Sequence, residues 1–170
     1  MTTTKPMCYC FHMRKIIVLL ILLVILFVSS GQTYEQQSIV PELEKWLPGK
    51  PLESVLSKLE VPYWGIMVSV EERGYYDFVE FLLRKSTHFF GFGFIAIAVY
   101  SVLPKHRYRI LTATFITSLI AFMDEYHQSL TSGRTQSFQD VMLDTTGAVT
   151  ALVLLHFILL FTQRRTKKIR

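Results

Sequence analysis

The chain has 170 residues, of which 51% are apolar and 18% charged, and its mean hydropathy is +0.34. Four apolar runs of about 20 residues each take up close to half of it, leaving too little chain for a separate soluble domain with its own core. No G-x-G-x-x-G and no P-loop sequence is present, which excludes the common nucleotide-binding folds. The formal charge of +5 does not point to nucleic acid, because the basic residues cluster beside apolar runs and are not interleaved with exposed aromatics.

Cys8 and Cys10 are the only cysteines. They lie two apart on the N-terminal tail, poorly placed for a structural disulfide, and a metal site would need more ligands than these two and His12. An inert tail is expected. The first apolar run, Ile16 to Val28, follows Arg14 and Lys15 and precedes Ser29, Ser30 and Gly31. It fits a signal peptide cleaved before Gly31, but a retained helix from about Met13 to Gln32 with a basic flank is the favoured reading.

From Gly31 to about Leu83 the chain is polar and acidic. Leu52, Val55, Leu56 and Leu59 follow helical spacing after Pro51, which predicts a short amphipathic helix with Pro51 in its first turn. Val61 to Val70, with Pro62, Gly65 and β-favouring residues, predicts a short extended or hairpin piece. Tyr75, Tyr76, Phe78, Phe81 and Leu82 lead into the second hydrophobic segment as an interfacial aromatic belt would. That segment runs from about Lys85 to Leu103 and stops at Pro104. After a basic turn, the third segment begins at Ile110. Its apolar part ends at Met123, only 14 residues on and about 21 Å as a helix. A crossing helix must therefore continue through Asp124, Glu125, Tyr126, His127 and Gln128. The fourth segment spans Val141 to Phe161 and ends in a basic tail.

These segments predict an all-α membrane protein, a four-transmembrane-helix bundle with a small extracytoplasmic segment between helices 1 and 2. Its parts are a cytoplasmic tail (1–15), helix 1 (16–32), the extracytoplasmic segment (33–83), a three-helix core (84–163) and a basic cytoplasmic tail (164–170). Eleven of the 18 Lys and Arg lie on the two tails and the Lys105–Arg109 turn, with no acidic residue among them. The positive-inside rule then places both termini in the cytoplasm of a multi-pass cell-membrane protein, with the acidic segment and the Asp124–Asp140 region outside.

The informative polar residues are those where lipid should be. Each ionisable side chain within a crossing costs about 2.5 kcal/mol or more near the centre, so a cluster requires partners or a water-filled cavity. Asp124, His127 and Gln128 share one helix face, Asp140, Asp144 and Gly147 another, and Lys85 and His88 a third. All three helix ends lie at one membrane level, so Lys85, His88, Asp124, His127, Gln128, Arg134, Asp140 and Asp144 are candidate binding residues of one outer-leaflet pocket. Asp124, Glu125, His127 and Asp140 are the candidates for acid–base work. The bland readings stand beside these. Asp124 is equally expected to pair structurally with Arg134 or Lys85, and Glu125, turned about 100° from Asp124, reads as a solvated edge residue. His127 has even odds as a helix-end residue. Gly147 and Ala151 form a small-xxx-small pair for close helix packing.

Asp124, Glu125, His127, Gln128, Gly133, Arg134, Ser137, Asp140 and Gly147, preceded by Lys85 and His88 in Arg-Lys-Ser-Thr-His-Phe-Phe, give a pattern that resembles the VanZ-like family of bacterial membrane proteins. The resemblance implies a small polytopic protein of the cell envelope, whose namesake is associated with resistance to the glycopeptide teicoplanin, and it favours a retained first helix. Asp144 stands where the family usually carries Asn, Arg84 where some members carry Asp, and Gly91 at a position often acidic.

Two functional expectations follow. In the first, Arg134, Lys85 and His88 bind an anionic lipid or lipid-linked cell-wall-precursor headgroup, oriented by Asp124 and Asp140. In the second, the carboxylates and imidazoles serve an intramembrane hydrolase or transferase acting on a lipid phosphate. No H-E-x-x-H or nucleophile elbow supports the second, no metal or cofactor is assigned, and a purely structural bundle is the third possibility. The sequence leaves enzymatic activity and oligomeric state open.

Overall fold

The computed structural model describes residues 5–63, 65–131 and 137–169. In chain order it comprises α1 (Lys5–Ser30), α2 (Tyr34–Gln37), α3 (Val40–Trp46), α4 (Glu53–Leu56), β1 (Val61–Tyr63), β2 (Ile66–Val68), α5 (Val70–Arg73), α6 (Tyr75–Val102), α7 (Arg109–Ser129) and α8 (Phe138–Ile169). Stretches of α1 (Cys10–Ser30), α6 (Tyr75–Val102) and α8 (Phe138–Arg165) are long and apolar enough to cross a membrane. A lipid-facing backbone has no water to bond, so unbroken helices are the expected form of such segments.

Helices α6, α7 and α8 pack against one another, and α1 lies across α6 and α7. The shared core is Phe92, Ile95, Ala96 and Val99 of α6, Ala113 and Ala121 of α7, and Ala148 and Leu152 of α8. Half of these are alanines. Small residues bring backbones together, which drives helix association where lipid removes the hydrophobic incentive. Gly147 marks the closest approach: a Cβ built there lies 2.1 Å from the Phe89 carbonyl oxygen. The large apolar side chains point outward instead, among them Phe90, Phe94, Phe115, Phe122, Phe157 and Phe161. A belt of this kind faces hydrocarbon rather than water.

Helix boundaries follow local chemistry. Helix α6 starts at Tyr75, ten residues before the expected Lys85, because Gly74 at φ 86° turns the chain into it. At about 42 Å it is longer than the hydrocarbon core. The aromatic stretch is therefore its first turns, with Tyr75 and Phe78 buried under the 33–74 segment rather than laid at a lipid interface. Helix α6 ends at Val102, with Leu103 extended before Pro104 as the following proline demands. Lys15 Nζ and Arg109 Nη2 both donate to the Ser101 carbonyl at 3.3 Å, satisfying an end the helix itself leaves open. Ser137 begins α8, its hydroxyl accepting from the Asp140 backbone N–H at 3.3 Å in the manner of a serine N-cap.

The 33–74 segment is anchored rather than loose. A capping box joins Thr33 and Gln36. Glu80 of α6, 2% exposed, accepts from the Ser38 hydroxyl at 2.8 Å and the Ile39 N–H at 3.2 Å, and pairs with Arg84. Tyr75 and Tyr76 donate from their hydroxyls to the carbonyls of Pro51 and Leu47. The amphipathic helix expected from Pro51 is only one turn, Glu53–Leu56. Lys50 and Leu52 have φ of 44° and 62°, so the chain turns through the left-handed region at the point where Pro51 was to start the helix. Strands β1 and β2 form the expected antiparallel hairpin, Val61 against Val68 and Tyr63 against Ile66.

Candidate functional site

The polar residues meet where α6 and α8 run side by side beneath the hairpin. Down the shared face, Lys85 pairs with Asp140, His88 Nδ1 lies 3.5 Å from Asp144 Oδ2, and Phe89 abuts Gly147. Steps of four and three residues put Asp140, Asp144 and Gly147 on one face of α8, and that face meets Lys85, His88 and Phe89 of α6. Close contact at Gly147 fixes that register.

Helix α7 adds Asp124, 6% exposed, whose Oδ2 accepts from Gln128 Nε2 at 2.7 Å. Atoms of His88, Asp124 and Asp144 all lie within 4.8 Å of one another. Ser30, at the end of α1, donates to the Asp124 carbonyl at 3.3 Å and ties that helix to the site. Glu125 is not the solvated edge residue its position suggests: it is 3% exposed and accepts the Ser137 backbone N–H. The start of α8 lies against that flank of α7, so the Glu125 carboxylate holds the entrance of α8.

His127 goes elsewhere. Three residues on from Asp124 it is turned toward α1, where its ring stacks on Phe27 at 4.4 Å with an interplanar angle of 8°. The expected single pocket is thus two lobes sharing Asp124. One holds Lys85, His88, Asp140 and Asp144. The other is a cavity of about 270 Å³ between α1 and α7, walled by Leu23, Leu26, Phe27, Ile120 and Met123, with Asp124 and His127 also among its lining residues. Arg134 lies outside the described residues. The expected pairing of Asp124 with Lys85 is replaced by Lys85 with Asp140.

Tyr63 is a site residue that sequence reasoning missed. Its hydroxyl accepts from Lys85 Nζ at 2.6 Å and donates to Ser137 Oγ at 3.4 Å, while its ring meets Phe81 edge-on. Burial, reinforced by the neighbouring Asp140 carboxylate, pushes its phenol well above the ordinary value, so it stays a neutral donor. The only hint was its strand alternation with Val61. Charge balance is the other feature. Lys85 is committed to Asp140 and Arg84 to Glu80, so the described site holds more carboxylate than it holds cations to match.

A family model described as VanZ/LLP1 matches residues 15–160. The chain belongs to that family. The match takes in most of α1 as well as the three-helix core, so both lobes of the VanZ-like site lie within it. No curated protein and no solved structure matches the chain.

Proposed function

We propose that this VanZ-like membrane protein receives a lipid or lipid-linked cell-wall precursor at the outer leaflet of the bacterial cell membrane, and thereby alters sensitivity to glycopeptides such as teicoplanin. The observation that carries the reading is the α1–α7 cavity, whose apolar walls end on Asp124 and His127. That is the shape and chemistry of a slot for an amphiphile, tail between the helices and headgroup at the polar end. The adjoining His88, Asp140, Asp144 and Lys85 extend the polar end, and the hairpin's Tyr63 roofs it.

In this reading the protein crosses four times, with α7 as the fourth crossing. Its 21 residues span about 31 Å, enough for the hydrocarbon core. Both termini are cytoplasmic and the 33–74 segment is extracytoplasmic, supported by eleven Lys and Arg without one acidic residue on the tails and the α6–α7 turn. Inclusion of α1 in the family match supports its retention.

The test is native mass spectrometry of the purified protein with polyprenyl phosphate, phosphatidylglycerol and phosphatidylcholine. Retention of a phosphate-bearing lipid, weakened by His127→Phe and Asp124→Asn, is expected. A parallel loss of any teicoplanin tolerance conferred on a susceptible host is expected at normal protein abundance. Equal retention of all three lipids by both variants would overturn the reading. A second reading, hydrolysis or transfer at a lipid phosphate, is favoured by the His88–Asp124–Asp144 cluster, since catalytic carboxylate and imidazole must stand this close. Phosphate release from the lipid in proteoliposomes distinguishes it from binding alone.

A further inference from the structure

We infer that His88, Asp124 and Asp144 form a site for one divalent transition-metal ion of the zinc class. Three helices each contribute one side chain, and their potential ligand atoms lie within 4.8 Å of one another. Ligands around an ion at about 2.1 Å stand roughly 3–4.2 Å apart, so small side-chain rotations close the shell. The 3.5 Å between His88 Nδ1 and Asp144 Oδ2 is already in that range.

A second observation makes this more than a cluster. Asp144 is 2% exposed, yet its Oδ1 has no hydrogen-bond partner among the described residues. An ionised oxygen without a donor in that setting is costly, and a bound cation removes the cost. Lys85, one turn along α6, is paired with Asp140 and bonded to Tyr63, so its charge is spent there. Among the described residues, two buried carboxylates therefore face one imidazole.

The surroundings suit a ligand set held in advance. Gln128 fixes Asp124 from behind at 2.7 Å, and the His88 ring stacks on Phe92 at 6.2 Å. His88 and Asp144 sit on α6 and α8, which meet at Gly147, and such outer contacts orient metal ligands. An imidazole nitrogen with two carboxylate oxygens favours zinc or a similar first-row ion over calcium or magnesium, which take mostly oxygen. Three protein ligands leave a coordination position free. Because Asp124 also lines the α1–α7 cavity, the ion stands beside the headgroup end of that slot and can take a phosphate oxygen. This last step rests on the lipid reading above, whereas the metal site does not.

The experiment is zinc content and zinc affinity of the full-length protein in detergent, with no lipid added. About one zinc per chain is expected after dialysis, together with a zinc-induced rise in melting temperature. Asp144→Asn and His88→Gln should each weaken zinc at least about tenfold and abolish the thermal shift, while Asp77→Asn, an exposed carboxylate of α6, changes neither. X-ray absorption should show imidazole scattering in the wild type that His88→Gln removes. Asp144→Asn, which relieves a buried charge, should leave the metal-free protein folded. Substoichiometric zinc in the wild type, or zinc held equally by both variants, would overturn the site. Zinc binding without lipid-phosphate retention supports the site and removes the lipid reading; lipid retention without zinc does the reverse.

Discussion

Lys85 holds together groups from three parts of the chain, α6, α8 and the hairpin, through Asp140 and Tyr63. The side chains of the ion pair are one-fifth exposed or less, at 20% and 17%, so water screens little of the charge left behind when one is removed. Lys85→Met should lower stability by about 2–3 kcal/mol, somewhat less than breaking a fully buried pair, and adding Asp140→Leu should restore most of it. Denaturant unfolding in detergent gives both numbers. Tyr63→Phe is milder, about 1 kcal/mol for one hydroxyl's hydrogen bonds. It should also change the alkaline limb. The folded phenol is raised above its unfolded value, so the stability tied to the protonated form is intact below pH 10, the ordinary value. It is lost as pH climbs above that, because the unfolded state releases the proton first. Removing the phenol should flatten that loss, as melting curves from pH 8 to 11 would record.

Among the elements, α6 and α8 set the geometry, and two glycines on the pair separate contact from mere helix propensity. Gly147→Ala places a Cβ 2.1 Å from the Phe89 carbonyl oxygen and must push the backbones apart. A loss of several kcal/mol is expected, about as much as overpacking a core at its worst, together with misaligned His88 and Asp144. Gly91, with nothing within 4 Å of a built Cβ, should accept alanine without loss. Melting both variants side by side checks the contrast. Glu80 does for the 33–74 segment what Gly147 does for the bundle. Glu80→Ala leaves the Ser38 hydroxyl, the Ile39 N–H and Arg84 without their acceptor. Limited proteolysis should then cut between α2 and α4 much sooner, with the transmembrane core intact.

At the level of the whole molecule, topology is the prediction that most constrains function, since the cluster is useful to an envelope protein only if it opens outward. A cysteine at Ser57 should react with an impermeant reagent applied to intact cells, and one at Lys105 should not. The reverse pattern would turn the site toward the cytoplasm and end the proposed outer-leaflet role.

What the sequence determined by itself was coarse and physical. Long apolar runs require helices in lipid, Pro104 ends one of them, and the family pattern from Lys85 to Gly147 carries the identity. Helical spacing also put Asp140, Asp144 and Gly147 on one face, because that periodicity is local. The hairpin was legible too, in its turn residue Gly65 and its β-favouring flanks. Tertiary structure alone decided who meets whom. Lys85 took Asp140 rather than Asp124, His127 turned to Phe27 on α1, and Glu125 became buried because the start of α8 folds over it. It also decided that Tyr63, 22 residues before Lys85 in sequence, closes over the site. Periodicity fixes a side chain's azimuth on its own helix, but the neighbour it meets depends on how helices from distant parts of the chain cross. Here the α6–α8 crossing is tightest at Gly147, with Gly93 also in close contact across it.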